Sequence, residues 1–426
     1  ALDIRGAGEL TGYEAAQRLL QMADSHSQFF DPFCGEVLQS AAVEDVYGLR
    51  VSLRRATPAP LAVLAAAEAK TASPQQAAWP GRFQEAPPID GGRRFLRTQP
   101  ETSNDSPPPQ EIVEFELLDS YAVLDALRSG RIDVVERVAP AELAALKTDS
   151  RVVVGQYALP RIHLLAPNPR QPLSASATFR RAVASAIDRA NILKDVFTPA
   201  QRAAGTQVVS GPFPVARNPS DVWGYAADSA VEPLPYEPAI GLTLLRVAED
   251  ELARGAIAAG RASPKLETLV IGHGSDPLHT QLCRVMTEQL TAIGVAARHE
   301  TIADDDAAAR DACHFWYVEL AMREPAVDAL QLFSPDGLAL PDDHLALALR
   351  GLQGATGWQQ ARDALYRIHA IVHSRQTVIP LWQTVDNFAV RKGIRGAGAD
   401  AVSLYDGLDQ WRPALPASTV DAKEAP

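Results

Sequence analysis

The segment that most restricts the fold is a strand–helix–strand pattern over residues 266–302, LETLVIGHGSDPLHTQLCRVMTEQLTAIGVAARHETI. The apolar run at 266–271 predicts a strand. Asp276 is suited to cap a helix that begins with Pro277, and Gly294 is suited to the left-handed position after the helix. Two strands joined by a helix predict a right-handed parallel crossover, which indicates an α/β fold.

Apolar residues also recur at helix or strand spacing along much of the remaining chain. The stretch ATFRRAVASAIDRANILKDVF, residues 177–197, has one apolar stripe and predicts a single core helix. Ser120 is suited to cap a short helix that runs through Leu127, and Gly130 is suited to the left-handed position that ends it. Residues 71–110 and 201–238 are rich in Pro and Gly, and they predict loops. The first of these contains a possible pair of short strands around Phe83 and Phe95.

The chain has 426 residues, which is too long for one ordinary core, so two or more lobes are expected. Its formal net charge of −12 argues against a nucleic-acid partner and against docking on an anionic membrane surface. No apolar run approaches the roughly 18 residues that a membrane helix needs. The chain starts ALDIRGAGEL, without Met or a signal-peptide pattern, and we expect an upstream segment.

The cysteines are Cys34, Cys283 and Cys313. An odd number leaves at least one thiol unpaired, so one disulfide is allowed and none is required. The cysteine count therefore does not indicate whether the protein works in an oxidising or a reducing compartment.

Two groups of residues resemble metal ligands. His279 and Cys283 lie one helical turn apart, near His273, but no fourth ligand is close, and we expect no metal site. The carboxylates of Asp304–Asp306 are interpreted as the start of a short helix, where the helix dipole favours negative charge.

No GxSxG, HExxH, P-loop or GxGxxG pattern occurs. We therefore expect neither an enzyme nor a bound cofactor, although catalytic groups that are scattered along a sequence would give no such pattern.

Three aromatic residues, Trp316, Tyr317 and Trp382, allow two interpretations. They pack in a core, or they form a platform in a ligand cleft. Core packing is the commoner role of such residues, whereas the charged residues Glu319, Arg323 and Glu324 near Trp316 support the cleft. The candidate ligand-binding residues are Trp316, Tyr317, Glu319, Arg323, Glu324 and Trp382.

Several segments resemble the family 5 extracellular solute-binding proteins, which are the oligopeptide, dipeptide and nickel-binding components of ABC importers. ALRSGRIDVV at 126–135 resembles the family's "L-x-S-G-x-I-D", and TFRRAVASAIDRANIL at 178–193 resembles its "VRxAxxxAIDRxxI". QLTAIGVAAR at 289–298 and VIPLWQ at 378–383 resemble "QLxxIGIxV" and "xIPLY". Upstream, LTGYEAAQRLL at 10–20 is similar to the family's "TAxDVxxSL", and the segments follow in the family's order from about residue 10 to residue 411.

The resemblance implies an α/β fold of the two-lobed periplasmic-binding-protein type, similar to class II, with mixed sheets flanked by helices. The implied first lobe is 1–168, incomplete and including part of a small subdomain, and the second lobe is 169–386. Residues 387–418 would return to the first lobe, and 419–426 would be a tail.

The resemblance also implies a function. The expected role is capture of a small polar ligand, foremost a peptide, between two lobes and its delivery to ABC permease subunits. The location would be periplasmic or at the cell surface. Contact with the membrane would occur only through the transporter or through a lipid anchor outside this chain. The alternative is the ligand-sensing domain of a bacterial transcription regulator with the same fold.

The peptide binders of the family carry a "DYxxP" stretch whose Asp can hold a peptide amino group. In this chain the corresponding stretch is LAMREP at 320–325, and Ala321 stands at the position of that Asp. Peptide specificity is therefore open.

Overall fold

The chain folds into strands and helices that alternate along much of the sequence. A computed structural model describes residues 2–5, 11–54, 83–98, 107–117, 119–197, 205–217, 221–260, 262, 268–303, 306–322, 324–334, 337–398, 401–405 and 407–413. The strands are β1 (Leu2–Arg5), β2 (Leu38–Asp45), β3 (Gly48–Leu53), β4 (Phe83–Ile89), β5 (Gly92–Arg97), β6 (Glu111–Glu114), β7 (Val134–Val135), β8 (Val152–Gln156), β9 (Arg161–Pro167), β10 (Gln207–Val208), β11 (Leu269–His273), β12 (Ala297–Thr301), β13 (Phe315–Ala321), β14 (Ile379–Thr384), β15 (Asn387–Arg391), β16 (Ile394–Arg395) and β17 (Arg412–Pro413).

The helices of the described residues carry the labels α1 to α13. They are α1 (Gly12–Ala23), α2 (Pro32–Val37), α3 (Ser120–Ser129), α4 (Leu143–Thr148), α5 (Pro172–Ala175), α6 (Ala177–Ala186), α7 (Arg189–Val196), α8 (Pro238–Ala258), α9 (Pro277–Ala292), α10 (Ala307–Ala312), α11 (Pro325–Leu332), α12 (Asp343–Gln353) and α13 (Trp358–Arg375). No helix among the described residues is both long and apolar enough to cross a membrane. The prediction of a mixed α/β fold is confirmed.

The chain separates into two compact units. The larger unit contains Ala1–Gln76, Arg161–Val196 and Gly205–Thr384, and the smaller contains Ala77–Pro160, Phe197–Ala204 and Val385–Pro426. The lobe bounds expected from the sequence, at residues 168, 386 and 418, stay a prediction.

The centre of the larger unit is a six-stranded mixed sheet in the order β10-β14-β9-β13-β11-β12. β11 pairs in parallel with β12 and β13, whereas β9 pairs antiparallel with β13 and β14. The crossover from β11 to β12 is the predicted strand–helix–strand unit. The Asp276 side chain accepts the N–H of Leu278 at 2.7 Å, α9 begins at Pro277, and Gly294 has φ +90°. Each of these end signals is confirmed.

Helices bury both faces of this sheet. On one face, Ile162 and Leu164 of β9 pack in a cluster with Ala329, Leu345 and Leu365 of α11, α12 and α13. On the other face, Phe179 of α6 stacks on Phe315 of β13 with ring centroids 5.9 Å apart. Buried apolar side chains on both faces explain why the central strands are nearly continuous apolar runs.

The predicted single helix over 177–197 is wrong, because the structure has two helices, α6 and α7. The backbone becomes extended at Ile187, with φ −100° and ψ 117°. The Asp188 carboxylate then accepts the backbone N–H of Asn191 at 3.0 Å, and so it offers the chain a new helix start. Arg180 and Arg189 of these helices are buried and donate to backbone carbonyl groups rather than to carboxylates.

Buried polar side chains fix the described parts of the 201–238 connection. The Gln383 amide donates to the carbonyl oxygens of Gly205 and Val215 at 2.9 and 3.1 Å, and it accepts the N–H of Val215 at 2.8 Å. The His369 ring accepts the backbone N–H of Asp228 at 2.9 Å and lies 3.0 Å from the Ser210 hydroxyl. The connection is therefore attached to the core at several points.

The smaller unit contains the sheets β4-β5-β6, β7-β15-β8 and β16-β17. The predicted strand pair around Phe83 and Phe95 is confirmed as β4 and β5, in which Glu85 lies opposite Phe95. Gly130 ends α3 with φ +79°, as predicted, but the capping residue is Asp119 rather than Ser120. The Asp119 carboxylate reaches the N–H of Tyr121 at 3.1 Å.

Candidate functional site

Polar side chains gather at one end of the six-stranded sheet, where β9 begins and β13 and β14 end. In the strand register, Arg161 lies opposite both Ala321 and Thr384. Two residues further along β9, His163 lies opposite Glu319 and Trp382. Together with His279 of α9, these strands form what we call the His163 cluster, consisting of Arg161, His163, His279, Tyr317, Glu319 and Thr384.

His163 is the centre of this cluster and is fully buried. Its Nδ1 lies 2.6 Å from the Tyr317 hydroxyl, and its Nε2 lies 2.7 Å from Thr384 Oγ1. Both ring nitrogens therefore have partners, as a buried imidazole requires. These bonds join β9, β13 and β14, so they hold the end of the sheet in one register.

Glu319 is the acidic member of the cluster, and only 7% of its side chain is exposed. Its Oε1 lies 3.4 Å from His163 Nδ1 and 2.9 Å from His279 Nε2, while Oε2 lies 3.7 Å from an Arg161 guanidinium nitrogen. The His279 ring is close to the carboxylate without being aligned for a hydrogen bond. A nearly buried carboxylate needs cationic or hydrogen-bonding neighbours such as these, because burial removes the water that would otherwise stabilise its charge.

Three of the predicted site residues meet here. Tyr317 and Glu319 belong to the cluster, and the Trp382 ring lies 6.0 Å from the His163 ring. Tyr317 is 2% exposed and Trp382 is fully buried. Direct contact of either aromatic residue with a ligand stays a prediction, since in this conformation both lie within the unit.

The other predicted residues lie elsewhere. Trp316 packs beside Val270 and Cys313, and the Arg310 guanidinium carbon lies 4.9 Å from its ring centroid. Glu324 is buried at the start of α11, where its carboxylate accepts hydrogen bonds from the Tyr225 hydroxyl and the Ala326 N–H. Arg323 lies outside the described residues, as do Asp304 and Asp305. Asp306 caps α10, as its position predicts.

His163, Arg161 and Thr384 were not predicted from the sequence, and His279 was predicted only as a potential metal ligand. A usable sign was present in the segment RIHLL, where a histidine interrupts a buried strand. Such a histidine needs hydrogen-bond partners on neighbouring strands.

The larger unit also contains a partly open cavity of about 1250 Å³ between α11, α12 and the end of β13. We call it the α11–α12 cavity. Ala321 and Met322 line it at the end of β13, and Glu36 of α2 contributes to its rim. Its apolar wall includes Leu320, Leu332, Phe333, Leu338, Leu345 and Leu349. Its volume exceeds the roughly 300–1000 Å³ of typical small-molecule pockets.

Four carboxylates line the same cavity: Glu36, Asp328, Asp342 and Asp343. Asp342 caps α12 and lies 3.2 Å from the Arg375 guanidinium. Asp328 accepts the backbone N–H of Glu324 at 2.9 Å. Among the described residues, Glu36 and Asp343 make no ion pair or side-chain hydrogen bond, and both are exposed.

The residues considered for a metal site have other roles. His273 Nδ1 lies 2.7 Å from the Gly274 carbonyl oxygen, and its Nε2 lies 3.0 Å from His299 Nδ1. Cys283 is buried, which raises the pKa of its thiol well above the usual range. In the part of the chain that the structure describes, no group of three or more His, Cys, Asp or Glu side chains is arranged to hold a metal ion.

Solved structures share this fold at low sequence identity. One is NikZ from Campylobacter jejuni in complex with Ni(L-His), with a TM-score of 0.70, 15% identity, and coverage of 95% of this chain and 84% of that one. The oligopeptide-binding protein AppA from Bacillus subtilis, in complex with a nonapeptide, has a TM-score of 0.70 and 13% identity, with coverage of 97% and 87%. The PBP AgaA from A. tumefaciens, in complex with agropinic acid, has a TM-score of 0.69 and 15% identity, with coverage of 96% and 84%.

A search of curated protein sequences gave no significant match. The model of the bacterial extracellular solute-binding proteins, family 5 Middle, matches residues 17–318, well over half of the chain. The chain belongs to the family 5 bacterial extracellular solute-binding proteins.

Proposed function

We propose that this protein captures a small polar ligand, foremost a peptide, outside the cytoplasm and delivers it to the permease subunits of an ABC importer. Family membership supports the binding role. The similar structures are complexes with a nickel–histidine complex, a nonapeptide and agropinic acid, so this fold accepts ligands of several chemical classes. The peptide, the permease and enclosure between two lobes are parts of the proposal.

The α11–α12 cavity is the observation that carries the proposal. It lies beside Ala321, at the position where the resemblance places ligand recognition, and its volume of about 1250 Å³ accommodates a ligand of several residues. Apolar walls with a few polar groups are typical of small-ligand sites, because apolar burial gives affinity and the polar groups fix orientation.

We propose a supporting role for the His163 cluster. Its hydrogen bonds fix the end of β13 next to Ala321 and Met322, which line the cavity. Glu319 would present charge at this end of the sheet, and Trp316 would support the same strand from its other face. Preorganised groups lose less free energy on binding than mobile ones.

A thermal-shift screen of the full-length mature gene product tests the binding role. The panel contains short peptides, nickel complexes, sugars and amino acids. A ligand at about 100 times its dissociation constant adds roughly 2.7 kcal/mol of stability, which raises the midpoint measurably. A shift with one class supports the proposal and identifies the ligand. The absence of any shift for a folded protein contradicts it.

Two variants test the assigned residues. Trp316→Ala and Glu319→Ala are expected to weaken binding of the ligand found in the screen while the protein stays folded. Isothermal titration calorimetry measures the affinity, and circular dichroism checks folding. Asp250→Asn on the exposed surface of α8 is the control. Unchanged affinity in well-folded variants would refute the assignment.

A further inference from the structure

We propose that the α11–α12 cavity selects ligands in which a cationic nitrogen is attached to an apolar body, such as an amine or a basic peptide. This inference rests on the proposed function, because it assigns a ligand class to the cavity that carries that function.

The wall of the cavity provides an apolar contact surface. Leucine side chains come from β13, α11, the segment after α11, and α12, and Phe333 adds a large ring. Burial of apolar ligand surface against such a wall gives about 25 cal/mol per Å². A small inorganic cation would gain nothing from this surface, so the wall favours an organic ligand.

The charged residues that line the cavity, among the residues the structure describes, are all acidic. Its described lining contains four carboxylates and no Lys or Arg side chain. Arg375 compensates Asp342 from outside the lining, whereas Glu36 and Asp343 have no cationic partner among the described residues. Several carboxylates in a recess with low-dielectric walls create a strong negative potential, which concentrates cations there.

The two uncompensated carboxylates come from different parts of the sequence. Glu36 belongs to α2, and Asp343 begins α12, yet both line the same cavity. The neutral polar residues Gln331, Ser334 and Gln353 supply further hydrogen-bonding groups. A ligand with an ammonium or guanidinium group can therefore meet a carboxylate while its body contacts the leucines. An anionic ligand would be repelled by the same carboxylates.

A matched series of probes tests the charge preference. Phenethylamine, phenethyl alcohol and phenylacetate share an aromatic body and differ in having a cationic, neutral or anionic group. We expect the amine to bind about tenfold more tightly than the alcohol, a difference of roughly 1.4 kcal/mol, and phenylacetate to bind most weakly. Ligand-observed NMR titration at low and high salt measures the affinities, and added salt should reduce the preference for the amine.

A double variant connects the preference to the two carboxylates. In Glu36→Gln/Asp343→Asn, affinity for the amine should fall to that for the alcohol, while affinity for the alcohol stays the same. The control Asp250→Asn removes one exposed carboxylate outside the cavity and should leave the preference unchanged. Retention of the preference in the double variant would overturn the assignment.

Other outcomes also decide the inference. Equal affinity for the amine and the alcohol, or no binding of the amine to the folded protein, contradicts it. If the thermal-shift panel finds a ligand that the amine does not displace, the proposed function stands and the cation preference fails. If the panel finds none while the amine binds, the cavity selects cations, and the importer role fails.

Discussion

The buried imidazole of His369 should make the protein less stable in acid. His369 lies in α13 and is 1% exposed. Its Nδ1 accepts the backbone N–H of Asp228 at 2.9 Å, and its Nε2 lies 3.0 Å from Ser210 Oγ. Because a backbone N–H only donates, Nδ1 must be unprotonated, so the ring proton is on Nε2. A second proton would break the bond to Asp228 and bury a charge.

Burial lowers the pKa of His369 from 6.5 to about 4 in the folded protein. The unfolded chain therefore binds a proton as the pH falls from about 6.5 to about 4, whereas the folded protein does not. This contribution to stability is complete above pH 6.5 and is lost progressively down to about pH 4. Between pH 7 and pH 5 the loss is about 2 kcal/mol, and its full extent is about 3 kcal/mol.

Urea unfolding of His369→Gln at pH 7, 6 and 5, followed by tryptophan fluorescence, measures this contribution. The variant should be less stable than the parent at pH 7, because the His369 ring packs against Gly211 and Phe213. Between pH 7 and pH 5 the variant should lose about 2 kcal/mol less unfolding free energy than the parent loses. His344→Gln, which changes an exposed histidine of α12, should match the parent at each pH. An equal loss in His369→Gln and the parent would refute the assigned pKa and tautomer.

Three more predictions concern the buried groups of the chain. Burial raises the pKa of the Cys34 thiol to about 12 and that of Cys313 to about 11, and it raises the pKa of Cys283 further. Ellman's reagent should therefore label these thiols only after unfolding. Rapid labelling of the native protein would contradict this. Arg180→Met loses hydrogen bonds to four backbone carbonyl groups, so it should lower the free energy of unfolding measured in urea by about 3 kcal/mol. The control Arg181→Met changes an exposed residue and should alter that free energy by less than about 0.5 kcal/mol. The α6 helix should also lose hydrogen-exchange protection in Arg180→Met, and retained protection would count against this anchoring role.

Structural features that are set by residues close together in the sequence were predictable. The Asp276 cap, the proline at position 277 and the left-handed Gly294 each follow from one residue's chemistry, and the structure confirms all three. The α/β class follows from the apolar spacing for the same reason. The break at Ile187 was not predictable from spacing, because the apolar stripe continues through it while the Asp188 carboxylate competes for the backbone.

The candidate site depends on contacts between distant residues, and no local pattern contains these. His163 bonds to Tyr317 and Thr384, which lie 154 and 221 residues away in the sequence. Only the register of β9 against β13 and β14 brings them together. The α11–α12 cavity likewise depends on how α2, α11 and α12 are placed. The sequence therefore identified Glu319 and Tyr317 as candidates without indicating their shared partner.

The most direct test of the central claim, that the α11–α12 cavity holds the transported ligand, is one comparison of affinities. Ala346 of α12 lines the cavity, whereas the next residue, Leu347, is 61% exposed and lies outside its lining. Calorimetric titration of the ligand found by the thermal-shift screen compares Ala346→Trp with Leu347→Trp. We predict that Ala346→Trp fills the cavity and weakens binding at least about tenfold, while Leu347→Trp binds as the parent does. Equal and undiminished affinity in both folded variants would show that the ligand binds elsewhere.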